Sequence, residues 1–195
     1  MKKDIILAGV GGQGILSIAA AIGMAAIDSG LYLKQAEVHG MSQRGGDVHS
    51  DLRLSDQEIA SDLIPEGQAD LILSVEPMES LRYLPMLAKD GWLITNINPY
   101  VNIPNYPEIN KVIDEINKVP HHITIDANKI ATDLGSRRSA NIVILGAASP
   151  YLGLEFEVLE NAIEKLFVRK GPEIIKVNLE ALKQGRTFAM NFINN

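Results

Sequence analysis

A short apolar run, a glycine-rich turn and a long apolar helix open the chain, and this succession constrains the fold more than any other feature. Asp4–Ala8 contains β-branched Ile5 and Ile6 and predicts a buried strand. The residues from Ile15 to Asp28 are apolar or small almost all round, and Gly30 follows their end. Such a helix is typically buried against a sheet, and a glycine at that point is typical of a helix C-terminus.

The turn between these two elements has the G-x-G-x-x-G spacing. The first glycine of such a turn closes the bend, the second lets a phosphate approach the backbone, and the third packs the helix on the strand. The N-terminus of the helix then offers free N–H groups to an anion. The candidate binding residues are Gly9, Gly11, Gly12, Gln13 and Gly14. A tight turn without any ligand fits the same spacing equally well, so both interpretations stay open.

An acidic residue after the turn raises one specific alternative. Dinucleotide-binding folds place an Asp or Glu near the end of the second strand, about 20 residues after the glycines. Glu37 lies near the end of the second predicted strand at about this spacing. An autonomous NAD-binding dehydrogenase or sensor is therefore one hypothesis. NADP fits less well, because the Glu37 carboxylate would repel a 2′-phosphate.

Strands and helices alternate through the first two-thirds of the chain. Such alternation predicts a three-layer α/β/α domain with a largely parallel sheet, a Rossmann-like first βαβ unit and a helical C-terminal third. We expect residues 1–195 to form one domain. Asp47–Leu54 alternates apolar and polar residues, which favours a half-exposed strand, antiparallel or near an edge. The further predicted strands are Leu31–Val38, Asp70–Val75, Gly91–Ile97 and His121–Ile125, and the helices begin near Pro77, Glu108 and Asp126.

Composition excludes several kinds of chemistry. The 195 residues contain no cysteine, so this chain has no thiolate nucleophile, no disulfide and no cysteine ligand for zinc or an iron–sulfur cluster. A net charge of −6 argues against a general nucleic-acid binder. None of the four histidines has metal-ligand spacing, so no metal site is expected. We expect a cytoplasmic protein that neither spans nor binds a membrane.

The most unusual stretch joins the second and third predicted strands. It runs Glu37-Val38-His39-Gly40-Met41-Ser42-Gln43-Arg44-Gly45-Gly46. Loops held between rigid strands often carry recognition, and the Arg44 guanidinium could pair with a carboxylate or phosphate in a fork geometry. A surface loop whose glycines only shape the turn is the competing interpretation.

Two adjacent cations stand out in the C-terminal third. Arg137 and Arg138 precede a helix predicted from Ser139. They could bind a carboxylate or phosphate of a partner, although a solvated helix start is the commoner explanation for such residues.

Together, the turn at Gly9–Gly14 and the segment Glu37–Gly46 resemble the gamma subunit or domain of the 2-oxoacid:ferredoxin oxidoreductases. The alternating strand that ends Arg53-Leu54-Ser55 belongs to the same pattern. The resemblance is strong over roughly Asp4–Ile97 and continues more weakly through the C-terminal third. Within the family, a stand-alone chain of about this length resembles the beta subunit of the indolepyruvate type.

The resemblance implies a division of labour between chains. These enzymes decarboxylate a 2-oxoacid oxidatively, transfer the acyl group to coenzyme A and pass electrons to ferredoxin. Thiamine diphosphate, magnesium and [4Fe–4S] clusters are implied to lie in an alpha-type partner subunit, with no catalytic residue in this chain. The glycine-turn residues and Arg44 become candidates for contact with coenzyme A or with the partner's backbone. The residues implied to lie at the partner interface or the active-site edge are Glu37, His39, Gly40, Met41, Ser42, Gln43, Gly45 and Gly46.

Overall fold

A six-stranded sheet forms the middle layer of the protein. The computed structural model describes residues 1–40 and 45–193. The strands are β1 (Lys2–Val10), β2 (Tyr32–His39), β3 (Asp47–Ser55), β4 (Ala69–Ser74), β5 (Leu87–Asn96) and β6 (His122–Ile125). The helices are α1 (Ile15–Asp28), α2 (Pro77–Arg82), α3 (Ile109–Ile116), α4 (Ala127–Asp133), α5 (Ala140–Ala148), α6 (Phe156–Phe167) and α7 (Pro172–Ile193). Among the described helices, none has the length and apolarity needed to cross a bilayer.

The strand order is β2-β3-β1-β4-β5-β6. Strands β1, β4, β5 and β6 pair in parallel, whereas β3 is antiparallel to both of its neighbours. The predicted α/β class with a largely parallel sheet is therefore confirmed. The first β-α-β unit has one difference from a Rossmann unit, because β3 is inserted between β1 and β2. Strand β2 consequently lies two strand spacings, about 10 Å, from β1.

The alternating strand β3 is antiparallel, as predicted, but its polar face is more covered than the pattern suggests. Arg53 donates two hydrogen bonds to the buried carboxylate of Asp4, at 2.7 and 3.0 Å. The buried carboxylate of Asp51 accepts from the backbone N–H of Ile64 at 3.0 Å. The chain after β3 folds back over this face, which a strand-by-strand pattern cannot reveal.

Two apolar cores lie on opposite faces of the sheet. The larger core packs α1, α5, α6 and α7 against one face, and the smaller packs α2 and α3 against the other. The predicted helical C-terminal third thus covers the same face as α1, while the carboxyl ends of β1, β4, β5 and β6 share one edge of the sheet.

Helices α5 and α7 approach each other closely because each carries a glycine at the crossing. A β-carbon at Gly146 would lie 2.1 Å from the carbonyl oxygen of Leu182. One at Gly185 would lie 1.9 Å from the carbonyl oxygen of Val143. Both neighbours are backbone atoms, so a side chain at either position would have to push the helices apart.

Replacing Gly185 with alanine is expected to lower the free energy of unfolding by about 1–3 kcal/mol, the usual cost of overpacking a core. Urea denaturation measures this cost. Thr187→Ala, at an exposed site on the same helix, is the matched control and should change stability by less than about 0.5 kcal/mol. Equal stability of the two variants would contradict the close crossing of α5 and α7.

Candidate functional site

The glycine turn is closed by its own polar groups. The backbone N–H of Gln13 donates to the carbonyl of Val10 at 3.1 Å, and the Gln13 side chain accepts from the N–H of Val10 at 2.8 Å. A β-carbon at Gly9 would lie 2.4 Å from the Val75 side chain, so this glycine serves packing. Gly11 donates its N–H to the carbonyl of Gly46 at 2.8 Å, which removes that N–H from any ligand.

The remaining turn amides are available. Gly14 precedes α1 with a φ of +82°, and Gly12 has a φ of +101° with open space where a side chain would be. Within the described residues, the N–H groups of Gly12, Gly14 and Ile15 have no acceptor. They lie at the N-terminus of a 14-residue helix, whose dipole favours an anion there.

Helix α5 begins directly against this turn. The Asn141 side-chain amide donates to the carbonyl of Gly14 at 3.0 Å. A β-carbon at Gly14 would lie 2.5 Å from the same amide nitrogen, so only a glycine admits Asn141 at this distance. The contact joins the N-terminal ends of α1 and α5, although the two residues are 127 positions apart in the sequence.

A cavity of about 610 Å³ opens where these helix ends meet. Gly12, Gly14 and Asn141 line one part of it, and three cationic residues, Arg137, Arg138 and Lys170, line another. None of the lining residues in the described part of the chain is acidic. Free amides, three cations and two helix N-termini around one cavity together favour an anionic ligand.

Sequence reasoning located only part of this cavity. The sequence pattern indicates Gly9–Gly14, and it indicates Arg137 and Arg138 without connecting them to the turn. Lys170 was missed, and so was Asn178, which is buried in the cavity wall. The glycine at position 14 was the available signal, because a required glycine at a helix start indicates that another chain segment comes close.

The described ends of the segment 37–46 lie beside the cavity, and neither contributes a residue to its lining. The carbonyl of Gly46 accepts from Gly11, and the carbonyl of Gly45 accepts from the Asn102 side chain at 2.5 Å. Gly40 donates its N–H to the carbonyl of Asp47 at 2.8 Å. Of the predicted interface residues, Met41, Ser42 and Gln43 lie outside the described residues, as does the candidate ligand Arg44.

Glu37 does not meet the requirement of the dinucleotide hypothesis. It lies on the edge strand β2, where its carboxylate contacts the imidazole of His39 and the side chain of Gln35. It does not line the cavity, since β3 separates its strand from β1. The acidic residue therefore has the predicted sequence spacing but lacks the position next to the glycine turn.

A polar cluster supports the start of β3 near this segment. The Tyr83 hydroxyl lies 3.2 Å from the carboxylate of Asp47 and 2.9 Å from Nδ1 of His49, and its ring packs against the imidazole. Burial, together with the charge of Asp47, raises the pKa of Tyr83 well above its usual range. The hydroxyl therefore stays protonated and available as a donor to Asp47.

The loop between β5 and α3 is anchored on a buried carboxylate. Glu76 is fully buried and accepts hydrogen bonds from the N–H of Glu79 at 2.8 Å, the N–H of Tyr100 at 3.2 Å and the hydroxyl of Tyr106. Burial and the bond to Glu76 raise the pKa of Tyr106. The same loop carries Asn102, so it is tied both to Glu76 and to Gly45.

No group of three or more His, Cys, Asp or Glu side chains in ranges 1–40 and 45–193 is arranged to hold an ion.

The Gly14–Asn141 contact can be tested by a double-mutant cycle. Gly14→Ala is expected to cost about 1–2 kcal/mol for its left-handed backbone and about 1–3 kcal/mol for the collision with Asn141. In an Asn141→Ala background only the backbone cost should remain. Urea unfolding of the four proteins gives the coupling free energy, and strictly additive costs would mean that the two side-chain positions do not touch.

Known proteins resemble this chain along nearly its whole length. Indolepyruvate oxidoreductase subunit IorB of Archaeoglobus fulgidus is 39% identical over 200 residues, which cover 98% of this chain and 97% of the relative. The solved gamma subunit of the keto/oxoacid ferredoxin oxidoreductase of Geobacter sulfurreducens is 25% identical. It has a TM-score of 0.71, over 97% of this chain and 99% of that chain.

A longer protein contains the same fold. The 2-oxoglutarate:ferredoxin oxidoreductase from Magnetococcus marinus, solved with 2-oxoglutarate, coenzyme A and succinyl-CoA bound, has a TM-score of 0.78 at 22% identity. The match covers 97% of this chain and 31% of that chain. The family model described as pyruvate ferredoxin/flavodoxin oxidoreductase matches residues 4–188. The resemblance inferred from the glycine turn and the segment 37–46 is therefore confirmed, and this chain belongs to the pyruvate ferredoxin/flavodoxin oxidoreductase family.

Proposed function

We propose that this chain is the subunit without redox centres of a ferredoxin-dependent 2-oxoacid oxidoreductase, of the indolepyruvate type. In the complex, a 2-oxoacid is decarboxylated oxidatively and the acyl group passes to coenzyme A. The role proposed for this chain is to bind the phosphates of coenzyme A in the cavity at Gly14. The observation that carries the proposal is the meeting of free turn amides with Arg137, Arg138 and Lys170 around one cavity.

Electrostatics favour this assignment. The chain as a whole carries a formal charge of −6, so a general attraction for anions is absent. The cavity lining has the opposite charge to the chain as a whole, because its described residues include three cations and no acidic side chain. Guanidinium groups bind phosphate through two parallel N–H donors, and helix N-termini add further donors. Coenzyme A carries several phosphate charges and matches such a surface.

The redox chemistry is assigned to a partner subunit. Thiolates are the usual ligands of iron–sulfur clusters, and this chain has no cysteine. We infer that thiamine diphosphate, Mg²⁺ and the [4Fe–4S] clusters belong to an alpha-type subunit of the same complex, which also passes electrons to ferredoxin. The relatives named as subunits support the presence of such a partner.

The partner is proposed to dock on the segment 37–46. The described C-terminal end of this segment is joined to the glycine turn, because Gly46 accepts a hydrogen bond from Gly11. Gly45 also connects it to the loop that Glu76 anchors, through Asn102. A partner bound there would lie at the edge of the coenzyme A site, and the two subunits would form the active site together.

The phosphate site predicts that Arg137→Ala and Arg138→Ala each weaken binding of coenzyme A to the full chain by roughly 10-fold or more, since each removes a charged hydrogen bond. Titration calorimetry measures this. Arg169→Ala is the matched control, because Arg169 is exposed nearby but does not line the cavity. Unchanged affinity in both cavity variants would refute the site. NAD binding that is lost in Glu37→Ala would instead establish the dehydrogenase alternative.

A second prediction concerns Arg44. Arg44→Ala is expected to impair assembly with the partner subunit, or to raise the concentration of coenzyme A that the reconstituted complex requires. Circular dichroism of the isolated chain should stay unchanged. Normal assembly together with normal turnover at limiting coenzyme A would show that Arg44 has neither role.

A further inference from the structure

Strand β2 forms one edge of the sheet, and its outer side is unpaired among the described residues. The pairing of β2 with β3 runs through all eight residues of the strand without a bulge. The N–H of Gly40 donates to the carbonyl of Asp47, which continues the same register. Because hydrogen-bonded and non-hydrogen-bonded pairs alternate in an antiparallel ladder, the odd-numbered residues of β2 direct their N–H and C=O groups outward. These residues are Leu33, Gln35, Glu37 and His39.

This edge lacks the features that usually prevent two sheets from joining. Natural edge strands are protected by proline, by bulges, by short length or by an outward-facing lysine. Strand β2 contains no proline and no bulge. Its lysine, Lys34, donates to the carbonyl of Ala60 at 3.1 Å, so its charge is directed to a loop of its own chain. Strand β2 is therefore a regular, open edge on which another strand can pair.

Two exposed apolar side chains lie on one face of this edge strand. Tyr32 is 53% exposed and Val38 is 51% exposed, and both lie on the same face because an even number of residues separates their positions. An aromatic side chain opposite a β-branched one is a favourable cross-strand pair. Within one strand the two positions are about 20 Å apart, so they cannot cover each other. A second β2 strand supplies the missing member of each pair.

We propose that two copies of this chain pair through β2, in antiparallel orientation, about a two-fold axis at Gln35. This register places Tyr32 directly opposite Val38 of the second copy, and the reverse, in non-hydrogen-bonded pairs, where side chains are closest. Leu33 then pairs with Glu37 of the second copy, and Gln35 pairs with its own counterpart. Each of these outward-facing pairs exchanges two backbone hydrogen bonds, and the sheet becomes continuous through both copies.

The charges of the strand favour a second copy and this register. Lys34 and Glu37 give β2 one formal charge of each sign, so two such edges do not repel each other, although the whole chain carries −6. The neighbouring two-fold register, centred on Ala36, would place the two Glu37 carboxylates at diagonal positions and Tyr32 opposite a glycine. The register at Gln35 instead keeps the carboxylates four residues apart along the strands, roughly 13 Å.

This pairing is compatible with the proposed function but does not rest on it. The C-terminal ends of the two β2 strands point in opposite directions, and the two His39 residues are eight residues apart along the strands, about 27 Å. Of the proposed docking segment 37–46, only Glu37–His39 belong to β2. The cavity at Gly14 lies beyond β3, beside β1. Each copy therefore keeps its own cavity and its own docking segment.

Sedimentation velocity of the full chain over a range of concentrations tests the pairing, and the wild-type chain is expected to dimerise. Val38→Lys places a charge opposite Tyr32 of the second copy, in both symmetric pairs. It should raise the dissociation constant of the dimer roughly 10-fold or more, with an unchanged circular dichroism spectrum. Met190→Lys is the matched control and should dimerise like the wild type. Met190 is exposed on α7, which packs beside β6 at the opposite edge of the sheet.

Single cysteines test the register, since the chain contains none of its own. Gln35→Cys brings two thiols together at the two-fold axis, where facing α-carbons about 5.5 Å apart suit a disulfide. Mild oxidation should therefore cross-link this variant. Glu37→Cys places the α-carbons roughly 13 Å apart, beyond the reach of a disulfide, and should stay uncross-linked.

Two outcomes would overturn the proposal. Cross-linking of Glu37→Cys in place of Gln35→Cys would show that the copies do not pair about Gln35. A wild-type chain that stays monomeric at every concentration would show that β2 does not pair with a second copy. Protection of the β2 amides from hydrogen exchange in the assembled complex alone would then assign this edge to the partner subunit.

Discussion

The approach of Asn141 to Gly14 is the contact on which the cavity depends. It brings the beginning of α5 to the beginning of α1, so that the unpaired N–H groups of one helix face the arginines that precede the other. The approach needs two things at once, a left-handed turn residue and no β-carbon, and glycine supplies both. Farther along α5, Gly146 and Gly185 let α7 pack closely on this helix. Asn178 of α7 lines the same cavity.

The inserted strand β3 separates the glycine turn from the acidic residue that accompanies it in dinucleotide-binding folds. In a dinucleotide-binding fold, the strand after the first helix lies next to β1, and its terminal acidic residue reaches the ribose. Here β3 occupies that place, so Glu37 is moved to the edge of the sheet and faces His39. The glycine turn keeps free amides at a helix N-terminus without the acidic residue that selects NAD. The geometry that favours an anion is thus separable from the geometry that selects a dinucleotide.

The local sequence pattern is sufficient to predict the strand, turn and helix at residues 4–28, because periodicity and glycine spacing are properties of neighbouring residues. The same holds for the parallel part of the sheet, which follows from strands that alternate with helices. Pairing order is not local, which is why β3 could be recognised as antiparallel yet not placed between β1 and β2. The site shows the same limit. Gly14 and Arg137 each have a recognisable local character, but their common cavity arises from packing between segments far apart in sequence.

The contacts that anchor the loop on Glu76 are insensitive to ionic strength. Exposed pairs such as Lys129–Asp133 lie within reach of dissolved ions, which screen them. Glu76 is fully buried, and its described partners are two backbone N–H groups and one hydroxyl, with no cation among them. Mobile ions cannot reach this carboxylate to compete for it. The loop that carries Asn102, which donates to Gly45, therefore keeps its shape across salt concentrations that weaken the ion pairs of the surface.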